Sequence, residues 1–190
     1  MSLDLSWDLM VLVFFGTVVA YSFIVGRNRV LKVLSASYVG ILCADALGNV
    51  FGKYLFHREA FLKMARLLAI STPEESMAAF KVGVLVLMIV LLTVRGAYEF
   101  SAEDGSPFSI KVGVNMTLGL LSAGLMVSAL LIFASGGSLV ADVIMINNPL
   151  SEIYAQSRVV KIMIDYSNFW FFVPAFALLF ISFFSKAEQE

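Results

Sequence analysis

Apolar residues fall along this chain in five long blocks, at 9–25, 30–56, 78–97, 112–134 and 169–185, separated by short polar breaks. A helix needs about 20 largely apolar residues to cross the ~30 Å hydrocarbon core of a bilayer, and blocks of this length predict such helices. The last block is the shortest and carries Pro174, so a re-entrant or in-plane segment is the alternative there. Two further stretches, 57–70 and 149–166, mix apolar and charged residues. Phe61, Leu62, Ala65, Leu68 and Ala69 recur at helical spacing while Arg58, Lys63 and Arg66 take other positions. That pattern predicts a basic amphipathic helix on the membrane surface, with a solvated loop as the plainer alternative. Residues 149–166 carry Arg158, Lys161 and Asp165, too many charges for a free span. The predicted fold is therefore an all-α integral membrane helical bundle, a single domain over 1–190. It has four or five transmembrane helices plus one or two interfacial helices.

The breaks support these bounds. Gly26-Arg27-Asn28-Arg29 is so short that the first two helices must form an antiparallel hairpin. Thr72-Pro73-Glu74-Glu75 is a helix start, with Thr72 placed to cap, Pro73 at the first helical position and Glu75 closing a capping box. Ser135-Gly136-Gly137 stops the fourth helix, and Asn148-Pro149 starts the next segment. The leading residues 1–8 have no basic side chain, so 9–25 reads as a retained helix rather than a cleaved leader. Basic residues are split almost evenly between the two sides. The cluster Arg27, Arg29 and Lys32 directly after the first helix favours an outside N-terminus, since the first helix usually dominates.

The block at 30–56 carries two patterns at once. Ala36, Gly40, Ala44, Gly48 and Gly52 recur every fourth residue and form a ridge almost without side chains, suited to close helix packing in lipid. In the fourth block Lys111, Asn115, Gly119 and Ala123 share the same spacing, and Gly119 and Ala123 are the expected mates of that ridge. One residue round the second helix runs a stripe of Ile41, Asp45, Asn49 and Lys53. Asp45 thus falls inside an apolar span, where a charged side chain costs about 2.5–3.5 kcal/mol on the insertion scale and normally faces protein or water. Either it pairs with Lys53 or with a cation from another helix, or the stripe Asp45, Asn49, Lys53 lines a polar path for an ion or proton.

Composition narrows the chemistry. The chain of 190 residues is 60% hydrophobic and 14% charged, with mean hydropathy +0.91, which excludes an ordinary soluble domain. A net charge of −1 gives no footprint for nucleic acid. One cysteine, Cys43, and one histidine, His57, cannot form a Cys/His metal cluster or an intrachain disulfide. No nucleophile elbow, zinc-helix motif or phosphate loop occurs. No enzymatic activity, cofactor or metal is expected. The expected partners are the lipid bilayer and either further copies of the chain or other membrane subunits.

The layout resembles the CvpA family, small bacterial inner-membrane proteins named for colicin V production. The likeness lies in the first helix running through Tyr21-Ser22-Phe23-Ile24-Val25 into the link Gly26-Arg27-Asn28-Arg29, then 31–47. It continues with the apolar helix 80–94, the glycine-rich helix 113–133, and a segment containing Gln156-Ser157-Arg158, covering most of 8–167. Block 169–185 looks like an addition to that layout. The resemblance implies a multi-pass protein of a bacterial inner membrane with a channel, transport or secretion-linked role, and supplies no catalytic residues. A structural subunit that oligomerises through the small-residue faces is the alternative.

Overall fold

The structure is a computed structural model that describes residues 7–54, 73–96, 108–135, 137–138, 154–155 and 157–187. The expected surface helix at 57–70, with Arg58, Lys63 and Arg66, lies outside the described residues, as do His57 and the start of the 149–166 segment.

The described chain is all-α. Helix α1 is Trp7–Val25, α2 Arg27–Tyr54, α3 Pro73–Arg95, α4 Phe108–Ala134, α5 Arg158–Asp165 and α6 Ser167–Ala187. Each of the first four is long and apolar enough to cross a membrane. Helices α5 and α6 meet at 60° and make a fifth span if the bent pair is taken as one. At 1.5 Å per residue α6 alone is about 31 Å long, close to the hydrocarbon thickness.

Two helix boundaries are set by backbone chemistry, and the first differs from the expected one. The link between α1 and α2 is a single residue, Gly26, at φ +82°. Its amide donates to Ser22 O at 3.2 Å and its carbonyl accepts from Val30 N at 3.1 Å, so it closes one helix and opens the next. A left-handed φ costs a side-chain-bearing residue roughly 1–2 kcal/mol, and glycine avoids this. The basic residues Arg27 and Arg29 therefore belong to the first turn of α2 rather than to a loop. Helix α3 begins at Pro73, the helix start expected from the sequence, where the proline's missing amide costs nothing.

Helix α4, not α2, is the hub: it packs against every other described helix. Two thirds of its span (67%) is buried, against 11% for α1 and for α3. Its small residues are distributed among these neighbours. Gly119 lies against Ser22 and Val19 of α1, Gly124 lies under the Trp170 ring of α6, and Ala123 is fully buried. The main core joins Val30, Leu31, Leu34, Ile41 and Ala44 of α2 with Leu85 of α3 and Leu118, Leu125, Ala129 and Phe133 of α4. Outward-facing Leu12, Val13, Ile24, Leu87, Val94, Phe172 and Leu179 are exposed, as a lipid-facing surface requires.

Helix α5 is fixed to α1 through Asp8. The Ser157 hydroxyl donates to Asp8 Oδ1, Val159 N donates to the same oxygen at 3.2 Å, and Ser157 Oγ accepts from Val160 N at 3.0 Å. A carboxylate from a second helix and the Ser157 hydroxyl thus each satisfy one amide that the first turn of α5 leaves open. Val160 and Met163 are buried against Val11, Val127 and Leu131, while Arg158 and Lys161 are exposed.

Candidate functional site

The site is the inward end of the polar stripe. Asp45 and Asn49 are one helical turn apart on α2, and both reach toward α3. The residue that meets them is Lys81, whose Nζ lies 2.8 Å from Asp45 Oδ1 and 3.3 Å from Asn49 Oδ1. Lys81 is 0% exposed and Asp45 2%, so this is an ion pair removed from solvent inside the bundle.

Three features of the fold make room for it. First, α2 and α3 are antiparallel neighbours, and Asp45 lies nine residues before the end of α2 at Tyr54 while Lys81 lies eight after the start of α3 at Pro73. Equal distances from adjoining ends put the two charges at one depth, about 12–14 Å along the helices. Second, Gly48 lets the lysine lie flat on α2: a Cβ there would come within 2.5 Å of both Lys81 Cε and Cγ. Third, α4 ends beside the pair. Gly137 N closes back on Ile132 O at 3.0 Å, a reversal that stops the helix, and Gly137 O then accepts from Lys81 Nζ at 3.0 Å. The Phe133 ring faces the ammonium, centroid 5.6 Å away. The negative end of the α4 dipole and the ring quadrupole both favour a cation at this point.

The hydrogen bonding around the ammonium is complete. An ammonium has three N–H donors, and Asp45, Asn49 and Gly137 supply three acceptors. The second carboxylate oxygen of Asp45 accepts from Ser138 Oγ at 2.9 Å, and Ser138 Oγ accepts from Asn49 Nδ2 at 3.3 Å. Asn49 therefore bridges the two, and its amide orientation is set by having a donor on one side and an acceptor on the other. Asn49 is exposed and Ser138 half-buried, while Ile41, Ala44, Leu85, Leu125 and Phe133, described residues beside the pair, belong to the apolar core.

The expected members of the stripe separate here. Asp45 and Asn49 belong to the site; Lys53 does not, since it is exposed with its Nζ 5.7 Å from the neighbouring Tyr54 ring. Lys53 lies near the end of α2, where a long side chain reaches water more cheaply than it reaches back two turns. The ridge also has another partner than expected. Gly40 lies against Leu85 and Ile89, Gly48 against Lys81 and Gly52 against Met77, all of α3, while Ala36 and Ala44 are fully buried. Gly119, proposed as the mate of the ridge, faces α1 instead.

Neither Lys81 nor Ser138 was singled out by the sequence pattern. The helix start at Pro73 held the missing signal: counted from there, Lys81 is two turns inside an apolar helix, at the depth where Asp45 needs a cation. With Lys81 buried, it no longer bears on which side of the membrane the loops lie. Among the described residues no group of three or more His, Cys, Asp or Glu side chains is arranged to hold a metal. Cys43 is a free thiol, half-buried. Comparison of the chain with protein-family models, with curated proteins and with solved structures gives no significant match.

Proposed function

We propose that this chain is a non-enzymatic, multi-pass membrane protein of the channel or transport type whose Asp45–Lys81 pair handles protons. The observation that carries the reading is a fully buried Asp45–Lys81 ion pair inside a bundle of apolar helices, linked through Asn49 to an exposed position. Each buried ion loses several kcal/mol of solvation, and apolar side chains of similar volume would join α2 and α3 at less cost. Ionisable groups at such depth are by default part of an ion or proton path. The packing favours a proton over a larger species. The three ammonium donors are occupied, and the lysine stem is pressed against the backbone at Gly48. A proton moves between groups already in contact and needs no further space.

The resemblance to the CvpA layout agrees with a place in a bacterial inner membrane, with the Arg27–Arg29 end inside and the Asn49 approach outside. The alternative of an assembly subunit joined through small-residue faces finds less support, because Gly40, Gly48 and Gly119 are already packed within the chain.

Proteoliposomes with an imposed pH gradient and a trapped pH dye test the reading. Wild-type protein should carry protons, and Asp45→Asn, which keeps shape and hydrogen bonding but does not titrate, should lower the flux at least tenfold with assembly intact. Equal flux from both would overturn the role of Asp45. No flux from either, across gradients of both signs, would overturn the transport reading and leave the pair as a clamp between α2 and α3.

A further inference from the structure

The four polar side chains of the site close a ring, and the ring has one sense. Lys81 Nζ carries three N–H bonds and no lone pair, so the Asn49 amide must turn its oxygen toward the ammonium, 3.3 Å away. Its NH2 group then points the other way, to Ser138 Oγ at 3.3 Å. With one lone pair taken by Asn49, Ser138 turns its hydroxyl hydrogen to Asp45 Oδ2 at 2.9 Å, while Asp45 Oδ1 accepts from Lys81 at 2.8 Å. The chain of donors runs from Lys81 to Asn49 to Ser138 and ends on the Asp45 carboxylate.

The same geometry decides where that carboxylate can take up a proton. Oδ1 faces an ammonium hydrogen, and the other two hydrogens of the ammonium are held by Asn49 and by Gly137 O at 3.0 Å. A proton placed on Oδ1 would meet a donor there instead of an acceptor. Transfer along the 2.8 Å contact with Lys81 moves a proton within the pair and adds none. Oδ2 faces a hydroxyl, which both donates and accepts. When the Ser138 hydrogen turns away, its second lone pair accepts from an acid at Oδ2, the first keeps the Asn49 bond, and no bond to Lys81 changes. Ser138 is half-buried where Asp45 is 2% exposed, so the hydroxyl is the outer of the two groups. The charged group facing Asp45 from α3 is Lys81. The end of α4 presents Phe133, Gly137 and Ser138, which carry no charge, and on α2 the next cation, Lys53, is two turns on and exposed.

We infer that Ser138 is the proton-relay residue of this site: Asp45 gains and loses its proton at Oδ2, through the Ser138 hydroxyl that Asn49 holds in place. In the inward step a hydronium on the Ser138 side gives its proton to Oγ. The original Oγ–H bond breaks as its hydrogen passes to Oδ2, so that water and a carboxylic acid replace hydronium and carboxylate. The outward step is the reverse, with the same bonds made and broken. That the proton goes on to cross the membrane rests on the transport reading above; its exchange at Asp45 through Ser138 does not.

Infrared difference spectra between alkaline and mildly acidic pH, taken on protein in lipid bilayers, test the relay. They read the proton on Asp45 as a carboxyl C=O band, assigned by its loss in Asp45→Asn. The wild-type band should lie at the low frequency of a hydrogen-bonded acid. In Ser138→Ala it should move to higher frequency, and its rise after a pH jump should slow by at least about tenfold. Ser138→Thr, which keeps the hydroxyl, should restore both. A band and a rise time unchanged in Ser138→Ala would overturn the relay, and so would a wild-type protein with no Asp45 band across that pH range. Should Ser138→Ala fail to fold, Ser138→Cys decides: a thiol is a weaker hydrogen-bond partner, so the band should again move up, and an unmoved band would overturn the proposal. Flux enters none of these readouts. A relay in a protein that carries no protons would end only the transport reading. A conducting protein whose Ser138→Ala spectrum matches the wild type would end only the relay.

Discussion

Asp8 and Asp45 are the same side chain put to opposite uses. Asp8 sits at the outer end of α1, beside the first turn of α5, and satisfies a hydroxyl and an amide. Near the membrane edge water stands ready to replace either bond, so the carboxylate contributes a cap and little more. Asp45 sits 2% exposed in the bundle, against a full ammonium, and nothing replaces its partner there. The chemistry of a carboxylate in this protein is set by depth and by what faces it, and the two sites should respond very differently to the same kind of substitution.

The largest effect should come from Lys81→Met. It leaves Asp45 buried without its cation, a loss of about 3–5 kcal/mol by analogy with broken buried pairs. Thermal unfolding in a bilayer mimic should fall sharply, and the double change Asp45→Leu with Lys81→Met should recover most of it. A Lys81→Met protein as stable as the wild type would remove the contrast between the two aspartates.

Next are the glycines beneath the pair. Gly48→Ala places a Cβ 2.5 Å from the lysine stem and should cost about 1–3 kcal/mol, the usual range for overpacking. Gly40→Ala meets Leu85 and Ile89 at 3.3 Å and should be milder, while Gly16→Ala and Gly83→Ala, with nothing within 4 Å, should leave stability unchanged or slightly raised. The order of these unfolding midpoints is the check, and a Gly48→Ala no worse than Gly83→Ala would mean that the lysine does not lie along α2.

Asp8→Ala should cost less than any destabilising change above, since it removes only one acceptor at the first turn of α5. The loss should be local, seen as faster deuterium exchange at Val159 and Val160 with no change around Lys81. Global unfolding of Asp8→Ala would show that the rim contact carries as much as the buried one.

The smallest effect is electrostatic and lies at the rim. The Tyr154 hydroxyl donates to Asp165 Oδ1 at 2.7 Å, and this bond, then burial and then the carboxylate charge, hold the phenol proton on beyond the ordinary tyrosine range. A group whose folded value is raised contributes below its unfolded value and loses that contribution as pH rises through the folded one. The contact should therefore persist at neutral pH and disappear only under strongly alkaline conditions. Asp165→Asn should bring the Tyr154 titration down, read by ultraviolet difference against a Tyr154→Phe control.

The sequence alone determined the class and most of the helices. Hydrophobic block length decides membrane insertion residue by residue, and backbone rules act locally: Gly26 ends α1, Pro73 starts α3, and Ser135 with its glycines stops α4. It also marked Asp45 as a residue that must face protein or water, because the cost of a carboxylate in lipid does not depend on its neighbours. Partner choice was decided by tertiary structure alone. The small-residue ridge of α2 was legible as a close-packing face, but lipid treats all apolar helix faces nearly alike. Only the assembled bundle shows that the ridge takes α3 while Gly119 takes α1. The same holds for Asp45. Lys53 was nearer along the chain, yet Lys81 is the cation at its depth, and it fits only because Gly48 on one helix and the end of α4 on another leave a lysine-shaped space with the right acceptors around it.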